Sequence, residues 1–288
     1  MIVRQTDFKG GLSDDLAAPG RPGVAFWWLG QAGFAFRSGA LRLMVDPYLS
    51  DSLAAKYRGR PLAHERLMPP PIPPEAVRGL VWCLCSHAHS DHMDPGTLPV
   101  LAAHNPNCRF VVPRAEVQTA LARGVPKARA VPVNAGEHVE LGSGQTIEVI
   151  ASAHEERVTD AAGQHRYLGY VLRLGGIGFY HSGDCVPYPG LAEHLRAARV
   201  RVALLPVNGR DAARTQAGII GNFSFREAAD LCREAGIPWL VAHHVGLFAF
   251  NTVPEETLRR EAAGVEADLR VILPRYNERY ETWMEANQ

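Results

Sequence analysis

The chain has no excess of charge of either sign. Lys plus Arg and Asp plus Glu stand at 30 each, so no global positive field draws it to long nucleic acid. It has no long apolar run either. The most apolar early stretch, GVAFWWLGQAGFAF, is broken by Gln31 and by glycines and is too short to span a bilayer. The first residues, MIVRQTDFKGGLSDD, carry no apolar core of the kind a secretory leader needs. Cysteine is scarce, five in 288 residues, an odd number in a chain too large to need stapling. Cys83 and Cys85 alternate along an apparent strand, where a place in the core suits them better than a disulfide. Solenoid repeats and low-complexity tracts are missing. These absences point to a cytoplasmic protein in a reducing compartment.

Apolar residues make up 47% of the chain and charged ones 21%, an ordinary globular composition with enough length to bury a sizeable core. The segments VAFWWLG, GFAFRS and ALRLMVDPY read as successive strands, with a turn at Ser38-Gly39. GLVWCLCS is almost continuously apolar, as are RVALLPVNG and PWLVAHH, so these strands should be covered on both faces. Further strands are expected at RFVVP, HVEL and TIEVIASAH, and a hairpin at YLGYVLRLGGIGFYHSGD turning on Gly175-Gly176. Helices are expected at PGTLPVLAAH, RAEVQTALARG and SFREAADLCREAG. The last opens on a capping box, Ser224 with Glu227, and stops at Gly236. Without a linker-like break, the pattern predicts one layered α/β domain over residues 1–288. Residues 50–77 read as an irregular insertion with an extended proline run at Pro69–Pro74, forming a lid or a contact in a homo-oligomer.

The stretch SHAHSDHMD, residues 86–94, places three histidines and two aspartates in nine positions directly after a strand. His87 and His89, one residue apart, point the same way in extended chain and can grip one ion. Asp91 and His92 can face a second ion if the chain turns there. A pair of divalent ions needs more ligands than these four. His154, Asp184 and one of the pair His243, His244 each follow a predicted strand and can supply the remainder, with a carboxylate suited to bridging. Such a site lowers the pKa of water from 15.7 toward about 7 and so activates it for attack on carbonyl carbon or phosphorus. Asp91 is the residue expected to orient that water and move its proton.

HAHSDH, His87 to His92, matches the His-x-His-x-Asp-His signature of the metallo-β-lactamase-fold hydrolases. His154, Asp184 and His244 follow in the order that superfamily uses, so the resemblance runs from about Val24 to Pro274. Within the superfamily the chain resembles the ascorbate-6-phosphate lactonase group, in WLGQAGF, DPYLSDS, LLPVNGR and GNFSFREAA. The resemblance implies a four-layer αββα sandwich with a dinuclear metal site at the sheet edge. It implies one metal on His87, His89 and His154, the other on Asp91, His92 and His244, and Asp184 bridging. HVGLF resembles the family's His-x-Gly-x-Phe pattern, which favours His244 over His243. Imidazole and carboxylate donors suit zinc, manganese or iron alike, and the resemblance brings manganese forward.

Asn208 and Arg210, in PVNGR, follow a buried strand and are the candidate substrate-binding pair, the guanidinium suiting a carboxylate or phosphate. His181 is expected to orient a ligand, and Asp46 to brace the metal loop. Cys185 is not needed as a ligand, because Asp184 beside it already fills that role. The expected activity is hydrolysis of a small anionic lactone or ester. A phosphodiesterase for a lipid headgroup or nucleotide is the alternative, and a non-catalytic metal-bearing scaffold a third.

Overall fold

The computed structural model describes residues 1–8, 10–18 and 22–284. Two mixed sheets face one another. In the first, eight strands lie in the order Ile2–Asp7, Glu278–Trp283, Val24–Gly30, Gly33–Ser38, Leu41–Val45, Trp82–Leu84, Arg109–Pro113 and Ala130–Val133. The second has seven, in the order Arg270–Ile272, Trp239–His243, Val200–Pro206, Ile177–His181, Leu168–Leu174, Gln145–Ala151 and His138–Gly142. The last four strands of the first sheet run parallel, as do the first four of the second.

The strand Val24–Gly30 shows why the layers form. Its side chains alternate between faces, as a pleated strand demands. Val24, Phe26 and Trp28 enter the core between the sheets, with Phe34, Phe36, Phe179 and Tyr280. Ala25, Trp27 and Leu29 face outward, where Leu98 and Leu101 of the helix Leu98–His104 cover them. Helices Leu191–Ala197 and Phe225–Ala235 cover the second sheet through Leu191, Leu195, Ala228 and Cys232. The result is the four-layer αββα sandwich. Burial of a side chain such as Phe26 contributes about 1.5–3 kcal/mol, so both faces of these strands add stability.

The sequence expectations differ from the structure in detail. The helix expected at RAEVQTALARG is split into a 3-10 turn, Arg114–Glu116, and a short helix, Val117–Ala122. Residues 50–77 are less irregular than expected, because they contain the helix Ser52–Lys56 and a 3-10 turn at Pro74–Ala76. No helix among the described residues is long and apolar enough to cross a membrane.

Candidate metal centre

Loops leaving the C-terminal ends of strands in both sheets converge at one edge of the sandwich. Trp82–Leu84 leads into the loop carrying His87 to His92, and Leu41–Val45 ends at Asp46 beside it. From the second sheet come His154, Asp184 and His244, each within three residues of a strand end. The donor atoms of His87, His89, His154 and Asp184 lie within 4.8 Å of one another, and so do those of Asp91, His92 and His244. Asp184 stands between the groups. Its Oδ1 is 3.3 Å from His92 Nε2 and 3.2 Å from His244 Nε2, while its Oδ2 is 3.6 Å from His154 Nε2. Asp91 Oδ2 is 3.8 Å from both His92 Nε2 and His244 Nε2.

The hydrogen bonds behind these groups decide which way each ring faces. Asp46 is fully buried and accepts from the Ser86 backbone N–H at 2.7 Å and the Ser86 hydroxyl at 2.6 Å. It also accepts from His92 Nδ1 at 2.7 Å. With its hydroxyl proton committed to Asp46, Ser86 Oγ accepts from His87 Nδ1 at 3.0 Å. Both rings then turn a bare Nε2 toward the cage, and those Nε2 atoms are buried without a hydrogen bond among the described residues, as is Asp184 Oδ1. Lone pairs facing each other at 3.3 Å need a proton or a cation between them. The donor set therefore fits a divalent ion.

The titration directions agree. Burial alone would raise Asp184, but His244 and His92 outweigh it and hold the carboxyl well below its usual range. Burial alone would lower His92, but Asp184, Asp46 and Asp91 outweigh it and raise the ring well above its usual value. On the other side, burial pushes His87 well down, helped by His92 and His89, and lowers His154 to about 4. Neutral imidazoles thus stand on one side of Asp184, and a proton that a cation would displace on the other.

Backbone geometry separates the two adjacent histidines. His244 has φ 64°, held by its N–H donating to Gln31 O at 3.0 Å, and its ring enters the cage. His243 points away, stacked on His181 at 5.3 Å and edge-on to Phe34. His181 sits behind the Asp184 turn: Nε2 donates to Ala32 O at 2.7 Å and Nδ1 accepts from Gly183 N–H at 3.1 Å. Gly183 has φ 60°, and a Cβ there would stand 2.6 Å from Ser86 Cβ, so only glycine brings Asp184 this close to the histidine loop. Cys185 is buried, its thiol donates to Val186 O, and burial pushes it up to about 11.

The expected substrate-binding pair lies elsewhere. Arg210 forms a two-pronged pair with Glu227, at 2.8 and 2.6 Å, and donates to Asn222 O. Asn208 is fully buried; it donates to Asn251 Oδ1 at 2.8 Å and accepts from Asn222 at 3.0 Å. Neither lines the cleft beside the metal ligands, because each is taken up by a neighbour closer in the fold. It is Asn251, behind which Asn208 sits, that reaches the cleft.

That cleft has a volume of about 430 Å³ and is lined by His89, Asp91, His154, Asp184 and His244. Leu53, Lys56, Tyr57, Leu62 and His64 of the 50–77 segment also line it, with Ile219, Ile220 and Phe250. The segment is fastened down at its base. Ser50 and Ser52 donate to Asp94 Oδ1 at 2.9 and 2.7 Å, and Arg66 donates to Tyr48 O and Met68 O. Higher up, His64 stacks on Tyr57 at 4.2 Å and meets Phe248 and Phe250 edge-on. Gln31, His64 and Asn251 were given no role by the sequence reading, and Asp94 was counted in SHAHSDHMD without one. Of the first three only Gln31 carried a signal, its place in WLGQAGF.

Comparison with known proteins agrees with this architecture. The family model for a β-lactamase superfamily domain matches residues 41–245. A metal-dependent hydrolase of Myxococcus xanthus is 26% identical over 257 residues, covering 86% of this chain and 79% of that protein. A probable L-ascorbate-6-phosphate lactonase of Shigella boydii is 28% identical over 229 residues, covering 67% of this chain and 62% of that protein. A solved structure from Veillonella parvula, described as a possible metal-dependent hydrolase, is alike in fold, with a TM-score of 0.70 over 89% of this chain and 98% of that one at 14% identity. With sheets, donor cluster and a match over most of its length in agreement, the chain belongs to the β-lactamase superfamily of metal-dependent hydrolases.

Proposed function

We propose that the chain hydrolyses a small lactone or ester, with His87, His89 and His154 holding one divalent ion and Asp91, His92 and His244 a second. Asp184, which stands between the two groups, would be shared by both. The observation that carries this reading is the Asp184 carboxylate set between the two groups of buried, bare donor atoms. Zinc, manganese or iron, once held there, supplies Lewis acidity and an activated water at neutral pH. Asp91 orients the attacking water and accepts its proton, since one of its oxygens faces the cage and its side chain lines the cleft. Side chains of the 50–77 segment narrow the approach to the cage, which suits a small substrate. Lys56, at the cleft and clear of the ligand cluster, meets an anionic group on the substrate, a role Arg210 cannot take while it holds Glu227. The similarity to a probable lactonase supports a lactone as the first substrate to try.

The test is metal content by elemental analysis, together with hydrolysis of a lactone panel and of bis-p-nitrophenyl phosphate. About two ions per chain with acid released from a lactone supports the proposal. Cleavage of the diester alone moves the assignment to a phosphodiesterase. Metal uptake with neither activity favours a scaffold, and no uptake after reconstitution refutes the cage. His89→Ala should lose the ion held with His87 and His154, and turnover with it, whereas Cys185→Ala should keep both ions and turnover.

A further inference from the structure

We propose that Gln31 is a positioning residue for the Asp91, His92 and His244 half of the cage, so that replacing it weakens one ion and spares the other. The inference rests on the metal site proposed above and goes beyond its seven ligands. Gln31 lies at the tip of the turn between Val24–Gly30 and Gly33–Ser38, with φ 50° and only 1% of its surface exposed. Its side-chain nitrogen is 3.0 Å from Asp91 Oδ2 and 3.1 Å from His244 Nε2. Its side-chain oxygen is buried with no hydrogen-bond partner among the described residues. Leaving an amide oxygen unmet carries a desolvation cost, which a charge-assisted hydrogen bond to the Asp91 carboxylate offsets. The amide is therefore oriented by the ligands, not by its own packing.

The same turn holds three ligand loops. The Gln31 carbonyl accepts from Trp28 Nε1 at 3.0 Å and from the His244 backbone N–H at 3.0 Å. The next carbonyl, Ala32 O, accepts from His181, whose other nitrogen receives the N–H of Gly183 beside Asp184. A turn of the first sheet thus ties Asp91 through a side chain, His244 through the backbone and Asp184 through His181. His87, His89 and His154 have no hydrogen bond to it. The Gln31 side chain itself meets only Asp91 and His244 among the ligands, so its loss should fall on their half of the cage. A ligand-holding partner of this kind is worth about 10–100-fold in metal affinity.

The experiment is titration of metal-free protein with Co²⁺, followed by calorimetry and by the visible absorption of the bound ion. In the wild type two uptake steps are expected, the step lost in His89→Ala marking the other half of the cage. Gln31→Met, similar in size but without a donor, should weaken the remaining step by 10-fold or more and change its absorption band, with the His89-dependent step unaltered. Two steps like the wild type's overturn the proposal. So does an equal weakening of both, which would mean general damage to the turn. If Gln31→Met does not fold, NMR of the wild type decides with Zn²⁺: the Gln31 side-chain NH2 signals should move with the step that survives in His89→Ala. Movement with the other step, or with neither, refutes the inference. A wild type that takes up no Co²⁺ overturns the metal site and the role of Gln31 together, whereas normal wild-type uptake with an indifferent Gln31→Met overturns the second alone.

Discussion

At the scale of the residue, Asp46 shows how a side chain outside the cleft controls the chemistry inside it. It accepts from His92 Nδ1, which leaves His92 Nε2 bare for a cation. Asp46→Asn offers only one acceptor oxygen where three donors arrive. Affinity for the ion held by Asp91, His92 and His244 should fall about 10–100-fold. Competition with a chromophoric chelator measures this directly, and wild-type affinity in Asp46→Asn would remove Asp46 from the design. The expected brace role was legible because Asp46 ends a strand that should lie beside the histidine loop. The pairing of Arg210, expected as a substrate-binding residue, has an equally local cause. Its acceptor is Glu227, at the N-terminal end of a helix, and a spacing of 17 residues is no sequence signal.

At the scale of the element, the helix Phe225–Ala235 was the most legible part of the chain. Ser224 accepts from the Glu227 N–H, Glu227 accepts from the Ser224 N–H, and Gly236 takes the left-handed conformation at the stop. Arg210 adds a charge to this box. Burial alone would raise the Glu227 carboxyl, but the bonds from Arg210 and Ser224 outweigh it and hold it below its usual range. A depressed carboxyl contributes stability that is complete above its unfolded pKa and lost as pH falls through the folded one. Glu227→Ala should therefore cost about 1 kcal/mol at neutral pH. That difference should shrink toward zero once both forms are acidified below the folded value. Urea unfolding of the two proteins across this range checks it, and a pH-independent difference would assign the effect to packing instead. Short helices such as Ala212–Gln216, and Glu255–Ala263 with one fully buried residue, Leu258, went unread because so little of their surface is apolar.

At the scale of the molecule, the two ends of the described chain close the first sheet. Ile2–Asp7 pairs along Glu278–Trp283, which in turn pairs with Val24–Gly30. Tyr280 is fully buried and stacked on Phe26 with ring centroids 5.0 Å apart. Removing the chain after Asn277 strips the partner from Ile2–Asp7, bares the edge of Val24–Gly30 and opens a cavity beside Phe26. Losing one buried aromatic alone costs about 3–5 kcal/mol, and an exposed apolar edge invites aggregation. The truncated protein should be insoluble or melt well below the intact one. A soluble product with an unchanged melting temperature would show that this strand is dispensable.

Sequence by itself determined the layered α/β class, most of the buried strands, and the seven metal-competent side chains. Those were legible because they depend on local order: alternation along a strand, apolar runs, and polar groups placed where a strand ends. The resemblance favoured His244 over His243, and the tertiary structure shows what turns it into the cage, a backbone bond to Gln31 more than 200 residues away. Tertiary structure alone decided that Arg210 and Asn208 serve neighbours, that residues 53–64 line the cleft, and that a turn of one sheet holds ligands borne by the other. These outcomes depend on how two sheets pack face to face, and contacts across that packing leave no period in the chain.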